Sequence, residues 1–209
     1  MKGLILKDLF LIKGNIKMVL VVLLGFGIML VNNMTSISFF LPFFSTMLCI
    51  STFSYDEYNK WDAYVICLPN GRKNSVSAKY IVTLILIIIS FIISIGLVWI
   101  IPLAKETTTA SNDIYTLIGG ISGVLLMVIV MYPLLYKFGA EKGRLILFVL
   151  ILAVAIIGGS LLNNISIDSF KWLESISSSV LITSGSIILG ILLYASYKLS
   201  LNIYSKKEF

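Results

Sequence analysis

The 209-residue chain has no histidine and two cysteines. Lack of imidazole removes histidine acid–base chemistry, HExxH zinc sites and Ser-His-Asp triads. There is no G-x-x-x-x-G-K-[ST] stretch to cradle nucleotide phosphates. Cys49 sits in an apolar run and Cys67 in a charged loop, so neither a disulfide nor a zinc site is expected. The acids remain, ten in all, and three of them crowd into one segment, SYDEYNKWDAYVICLPNGRKNSVSAK, residues 54–79. Asp56, Glu57 and Asp62 lie there among aromatic residues, a pattern that suits recognition of a surface better than bond-breaking.

Local chemistry predicts how that segment folds. Ser54 and Glu57 form an S-x-x-E capping box, and Asp56 and Glu57 fall in the first turn, where the helix dipole favours acids. Asp56 and Lys60 are spaced as an i,i+4 ion pair. Tyr58, Trp61, Val65 and Leu68 make one apolar stripe, and Leu68-Pro69-Asn70-Gly71 supplies a stop. The expectation is a helix over Tyr55–Leu68, about 14 residues and about 21 Å long, followed by the turn and the bases Arg72 and Lys73. One placement lays it on the inner leaflet, with Trp61 and the tyrosines at the interface. The other sets it in a groove on a partner protein. Three acids against Lys60 alone fit an anionic leaflet poorly.

The elements that must position this segment follow from composition. Hydrophobic residues are 58% and charged residues 12% of the chain, against about 25% charged in soluble domains. Mean hydropathy is +1.02. A soluble enzyme is excluded, and no length remains for a nucleotide-hydrolysing domain. Apolar runs at 18–31, 37–53, 80–102, 114–136, 145–162 and 179–197 predict an all-α polytopic membrane protein with six transmembrane helices. The first run has the length of a signal-peptide core but lacks a cleavage pattern. An uncleaved hairpin turning at Asn32 and Asn33 is expected instead. With both termini cytoplasmic, 14 of the 16 basic residues fall inside, as the positive-inside rule requires. The net charge of +6 therefore reads as membrane topology, with no nucleic-acid partner. Lys/Ile/Asn-rich usage hints at a bacterial source.

Several features stay open. Residues 163–178 mix apolar and polar side chains and suit a segment that lies at the interface or re-enters the membrane, or a plain interfacial loop. Gly119, Gly123, Gly158 and Gly159 make small-residue faces for helix packing, or for a dimer seam or substrate path. Pro42, Pro102 and Pro133 are candidate kinks or ends. No charge occupies the centre of a span, which disfavours an ion-coupled carrier.

The string D-E-x-x-x-W-D-x-Y-x-x-x-L-P-x-x-R-x-x-x-V-x-x-K-Y, Asp56 to Tyr80, resembles the loop of ABC-2-type exporter permeases. The opening MKGLILKDLFLIKGN is similar to their amphipathic elbow helix, here residues 1–17. The chain is most similar to small bacterial permeases that export amphipathic peptides. That resemblance implies a coupling helix at 54–79 seated in a separate cytoplasmic P-loop ATPase, with ATP and Mg on the partner and no cofactor on this chain. Tyr55, Glu57, Tyr58, Trp61, Asp62, Val65 and Leu68 become the implied contacts, with Pro69, Arg72 and Lys73 shaping the turn. Arg72 alternatively binds lipid phosphate or a carbonyl near the third span. The resemblance also implies pairing with a second permease, identical or related, contact with membrane lipid, and export of a hydrophobic or peptide substrate across a bacterial plasma membrane. A scaffold or immunity protein that binds a toxin or sensor kinase shares the hydropathy but needs no such acidic segment.

Overall fold

In the computed structural model, residues 1–30, 34–105, 110–164 and 178–207 are described, with side chains at 1–15, 17, 40–96, 117–150, 152–153, 156 and 180–207. Seven helices occur among the described residues: α1 Lys2–Leu30, α2 Met34–Tyr58, α3 Trp61–Ile66, α4 Gly71–Lys105, α5 Ala110–Phe138, α6 Ala140–Asn164 and α7 Ser178–Lys206. There is no strand among them. The six long helices contain the six apolar runs, apart from Val31, which lies outside the described residues. Three stretches among these residues, Gly71–Gly96, Leu117–Phe138 and Val180–Lys206, are long and apolar enough to cross a membrane. The Asn32–Asn33 turn and nearly all of residues 163–178 lie outside the described residues.

No break separates the expected elbow from the first apolar run, because α1 is continuous from Lys2 to Leu30. Gly14 is the one weak helix former near the expected joint, and a single glycine costs only about 1 kcal/mol in a helix. Pro42 and Pro133 lie inside α2 and α5. At the first of these, the Thr46 hydroxyl donates to the Pro42 carbonyl at 2.9 Å.

The helices alternate in direction. Contacts gather the start of α1, the end of α2, α3, the starts of α4 and α6, and the end of α7 at one end of the bundle. Both chain ends therefore share that end. Helix α2 packs on α4, α5 and α1, and α5 joins α7, α6 and α4.

The core near this end is aromatic. Phe53 meets the rings of Tyr132 and Tyr136 edge-on at 5.1 and 5.2 Å, and Tyr80 meets Tyr132 and Tyr197 at 4.9 and 5.6 Å. Such pairs contribute about 0.5–1.5 kcal/mol each beyond burial. The Tyr80 hydroxyl bonds Ser196 and Ser200 at 2.8 and 2.9 Å, and Tyr132 bonds Thr83. These bonds satisfy polar groups that would otherwise be stranded in an apolar interior.

Candidate functional site

The 54–79 segment is built differently from the local expectation. Instead of starting a helix at Ser54, the chain continues α2 through Tyr58 and breaks at Asn59–Lys60, where Lys60 takes a left-handed conformation with φ 49°. Only Trp61–Ile66 then forms the separate helix α3, and Lys60 gives it no side-chain cap. The predicted single helix Tyr55–Leu68 is thus two pieces. A capping box is a local preference, and here packing on other helices outweighs it. Phe53, one residue before the box, is buried in the aromatic core, so α2 is already committed to its helical path.

Each acid consequently finds a distant partner. Asp56 pairs with Lys7 of α1 at 2.5 Å and Lys79 of α4 at 2.6 Å, not with Lys60. Lys79 also reaches Asp8 at 3.1 Å and donates to Thr52 at 2.7 Å. Asp8 in turn lies 3.3 Å from Lys7. Two acids and two bases so form a net-neutral cluster joining α1, α2 and α4. Lys79 is only 5% exposed and Asp8 2%, so the charges must balance one another. The ammonium of Lys7 also stands 4.3 Å over the Trp61 ring, which links α3 to the cluster.

Glu57 leaves its expected box and caps a different helix. Its Oε2 accepts from the Ala140 backbone N–H at 2.7 Å, placing a carboxylate on the positive end of α6. Gly139, with φ 84°, joins α5 to α6, and a Cβ there would lie 2.7 Å from Glu57 Oε1. Ser54 accepts from Arg144 instead of capping the expected Tyr55–Leu68 helix. We expect Glu57→Ala to lower stability by about 1 kcal/mol, while Glu57→Gln keeps an acceptor and recovers most of it. Thermal unfolding of the two variants in detergent checks this, and equal melting temperatures would contradict the cap.

Asp62 accepts from the Tyr204 hydroxyl of α7 at 2.7 Å. Arg72 donates to the Ser205 and Lys207 carbonyls, the second at 3.1 Å, so its charge meets the negative end of α7. Of the alternatives for Arg72, the carbonyl is observed, but it belongs to the last helix. Asp56, Asp62, Lys79, Tyr136 and Tyr204 line one cavity of about 50 Å³.

The apolar stripe also divides. Val65 is fully buried in the main core, so it presents nothing to a partner. Trp61 and Leu68 are half-buried. Tyr58, across the break, is 86% exposed, with Tyr55 and Tyr64 exposed beside it. The stop is where the sequence placed it: the Gly71 N–H donates to Leu68 O at 2.9 Å, and Asn70 has φ 53°. Proline second and a positive φ third match a type II turn. Pro69 and Lys73 are exposed.

At Gly119 and Gly123 an added Cβ meets nothing within 4 Å, so no described neighbour packs closely on that face. Gly158 and Gly159 lie in α6, and their surroundings are outside the described side chains. Local reasoning missed Asp8 and the structural role of Lys79. The available signal was an acid between Ile5 and Ile12 on the inward face of α1, in an otherwise basic segment.

Neither a curated protein nor a solved structure matches the chain. A family model described as ABC-2 family transporter protein matches residues 3–205. That covers both sides of the charge cluster and nearly every described helix, so the chain belongs to the ABC-2 transporter family, as a membrane permease of an ABC transporter.

Proposed function

We propose that this permease is driven by a separate cytoplasmic P-loop ATPase that docks on the exposed edge formed by Tyr55, Tyr58 and Tyr64. The observation that carries this reading is the way the acids behind that edge are used. Asp56 holds α1 and α4, Glu57 holds α6, and Asp62 holds α7. A displacement imposed on one short segment therefore acts on four other helices at once. ATP and Mg sit on the partner, and this chain binds no cofactor. Glu57 and Asp62 are transmitters within the chain, while the tyrosines make the contact.

The rest of the proposal follows the family and the charge distribution. Six crossings, with both termini in the cytoplasm of a bacterial cell, put the tyrosine edge beside the ATPase. Two permeases, identical or related, work with two ATPases. The spans carry few charges and suit outward movement of a hydrophobic or amphipathic peptide entering laterally from the membrane.

Co-purification of the complex tests the contact. Exposed tyrosines are frequent interface anchors, so Tyr58→Ala is expected to weaken ATPase retention about tenfold, equivalent to about 1.4 kcal/mol, with unchanged thermal stability. Asp62→Ala, which removes the acceptor for Tyr204, is expected to retain the ATPase yet uncouple hydrolysis from transport in vesicles. Full transport by both variants would remove the coupling reading, whereas no transport by vesicles holding the wild-type chain and its ATPase would favour a scaffold.

A further inference from the structure

An open cleft of about 740 Å³ lies between the end of α2 and the start of α6. We infer that it binds the headgroup of a zwitterionic phospholipid, one carrying both a phosphate and a primary ammonium. This rests on the membrane location and not on the ATPase.

The lining has both halves of the required chemistry. Arg144 is exposed and donates to Ser54 at 2.9 Å, which holds the guanidinium at the cleft wall with donors left for a phosphate oxygen. Glu141 stands on the same wall, one turn away, with no ion pair to Arg144 or any other described residue. The free Glu141 carboxylate accepts from a primary ammonium as Arg144 donates to the phosphate. A purely anionic headgroup would meet Glu141 and Glu57 unfavourably, whereas a zwitterion satisfies acid and base together.

The surface below the cleft matches the remainder of such a molecule. Leu145, Phe148, Leu152 and Ile156 follow Arg144 at helical spacing and are 67%, 68%, 58% and 73% exposed. From Leu145 to Ile156 the helix rises about 16 Å. One leaflet of the hydrocarbon core is about 15 Å deep. The polar cleft and the apolar track are continuous on one helix, at the proportions of a headgroup and one acyl chain. A second copy of the permease would cover the apolar track without any need for the charged pair above it.

Native mass spectrometry of the full chain in detergent, titrated with phosphatidylethanolamine, phosphatidylglycerol or diacylglycerol, tests the site. Tightest retention is expected for phosphatidylethanolamine. Arg144→Gln should weaken it about tenfold, the effect of losing one charge-assisted hydrogen bond. Glu141→Gln should abolish the preference over phosphatidylglycerol while both lipids still bind. Lys198→Gln, on the exposed face of α7, controls for general attraction to bases and should change nothing. Free glycerophosphoethanolamine should compete weakly, because it lacks the chains that use the α6 track. Equal retention of the three lipids, or equal loss in Arg144→Gln and Lys198→Gln, would overturn the inference. Efficient Phe148→Cys cross-linking between copies, with no Arg144-dependent lipid, would assign the face to a dimer and overturn it as well.

Discussion

Gly71→Ala should destabilise the fold by about 3 kcal/mol, the upper part of the range for forcing one methyl group into a filled space. The added Cβ would fall far inside contact distance of the Val65 carbonyl oxygen, 3.0 Å from the Val65 carbonyl carbon and 3.1 Å from Leu68 Cβ. Most of these neighbours are backbone, and Val65 is fully buried in the core. No side-chain rotation relieves the clash. Helix α3 would have to separate from the start of α4, which would pull Asp62 from Tyr204 and Trp61 from Lys7. Loss of thermal stability should therefore accompany loss of coupled hydrolysis. Asn70→Gly is the matched control: with φ 53° at Asn70, glycine adopts the turn without strain. A Gly71→Ala protein that melts with the wild type would show that the turn is not close-packed.

Lys79→Met is expected to cost about 3–5 kcal/mol, the usual result of removing one partner from a buried charge network. Met keeps much of the volume, so the effect reports charge rather than a cavity. Without Lys79, Asp8 and Asp56 share Lys7 alone and the cluster carries a net negative charge. Adding Asp56→Asn restores neutrality and leaves Lys7 with Asp8 at 3.3 Å. The double variant should therefore be more stable than Lys79→Met alone, opposite to the sum of two losses. Chemical unfolding of the wild type, Lys79→Met, Asp56→Asn and the double variant in one detergent gives the cycle. Simple additivity would mean that these charges do not act as a unit. Because the cluster fastens α1 to α2 and α4, the single variant should also expose α1 to proteolysis.

Much of this architecture is legible in the sequence. The apolar runs are long, and their flanking bases cluster, because water and hydrocarbon impose opposite demands over tens of ångströms. Signals of that size survive any local rearrangement. The Leu68–Gly71 turn was legible for a second reason: Pro69, Asn70 and Gly71 restrict the backbone whatever surrounds them. Ser54 and Glu57 show where such reasoning fails. Their spacing is that of a cap, yet spacing says only that two groups could meet. Ser54 meets Arg144 and Glu57 meets Ala140, residues more than 80 positions away.

By itself, then, the sequence determined a helical membrane protein, its charge asymmetry, and one acidic, aromatic segment closed by a tight turn. Those properties are set by composition and by short-range backbone chemistry. Tertiary structure alone decided what the acids do. Asp56 could have paired with Lys60 in solution, but burial beside Lys7 and Lys79 offers two cations and removes competing water. Charge in an apolar bundle must be neutralised by whatever helix end arrives beside it, and that neighbour depends on how the whole chain packs. The segment that looked like a free handle is for that reason tied to four other helices, while its tyrosines stay exposed.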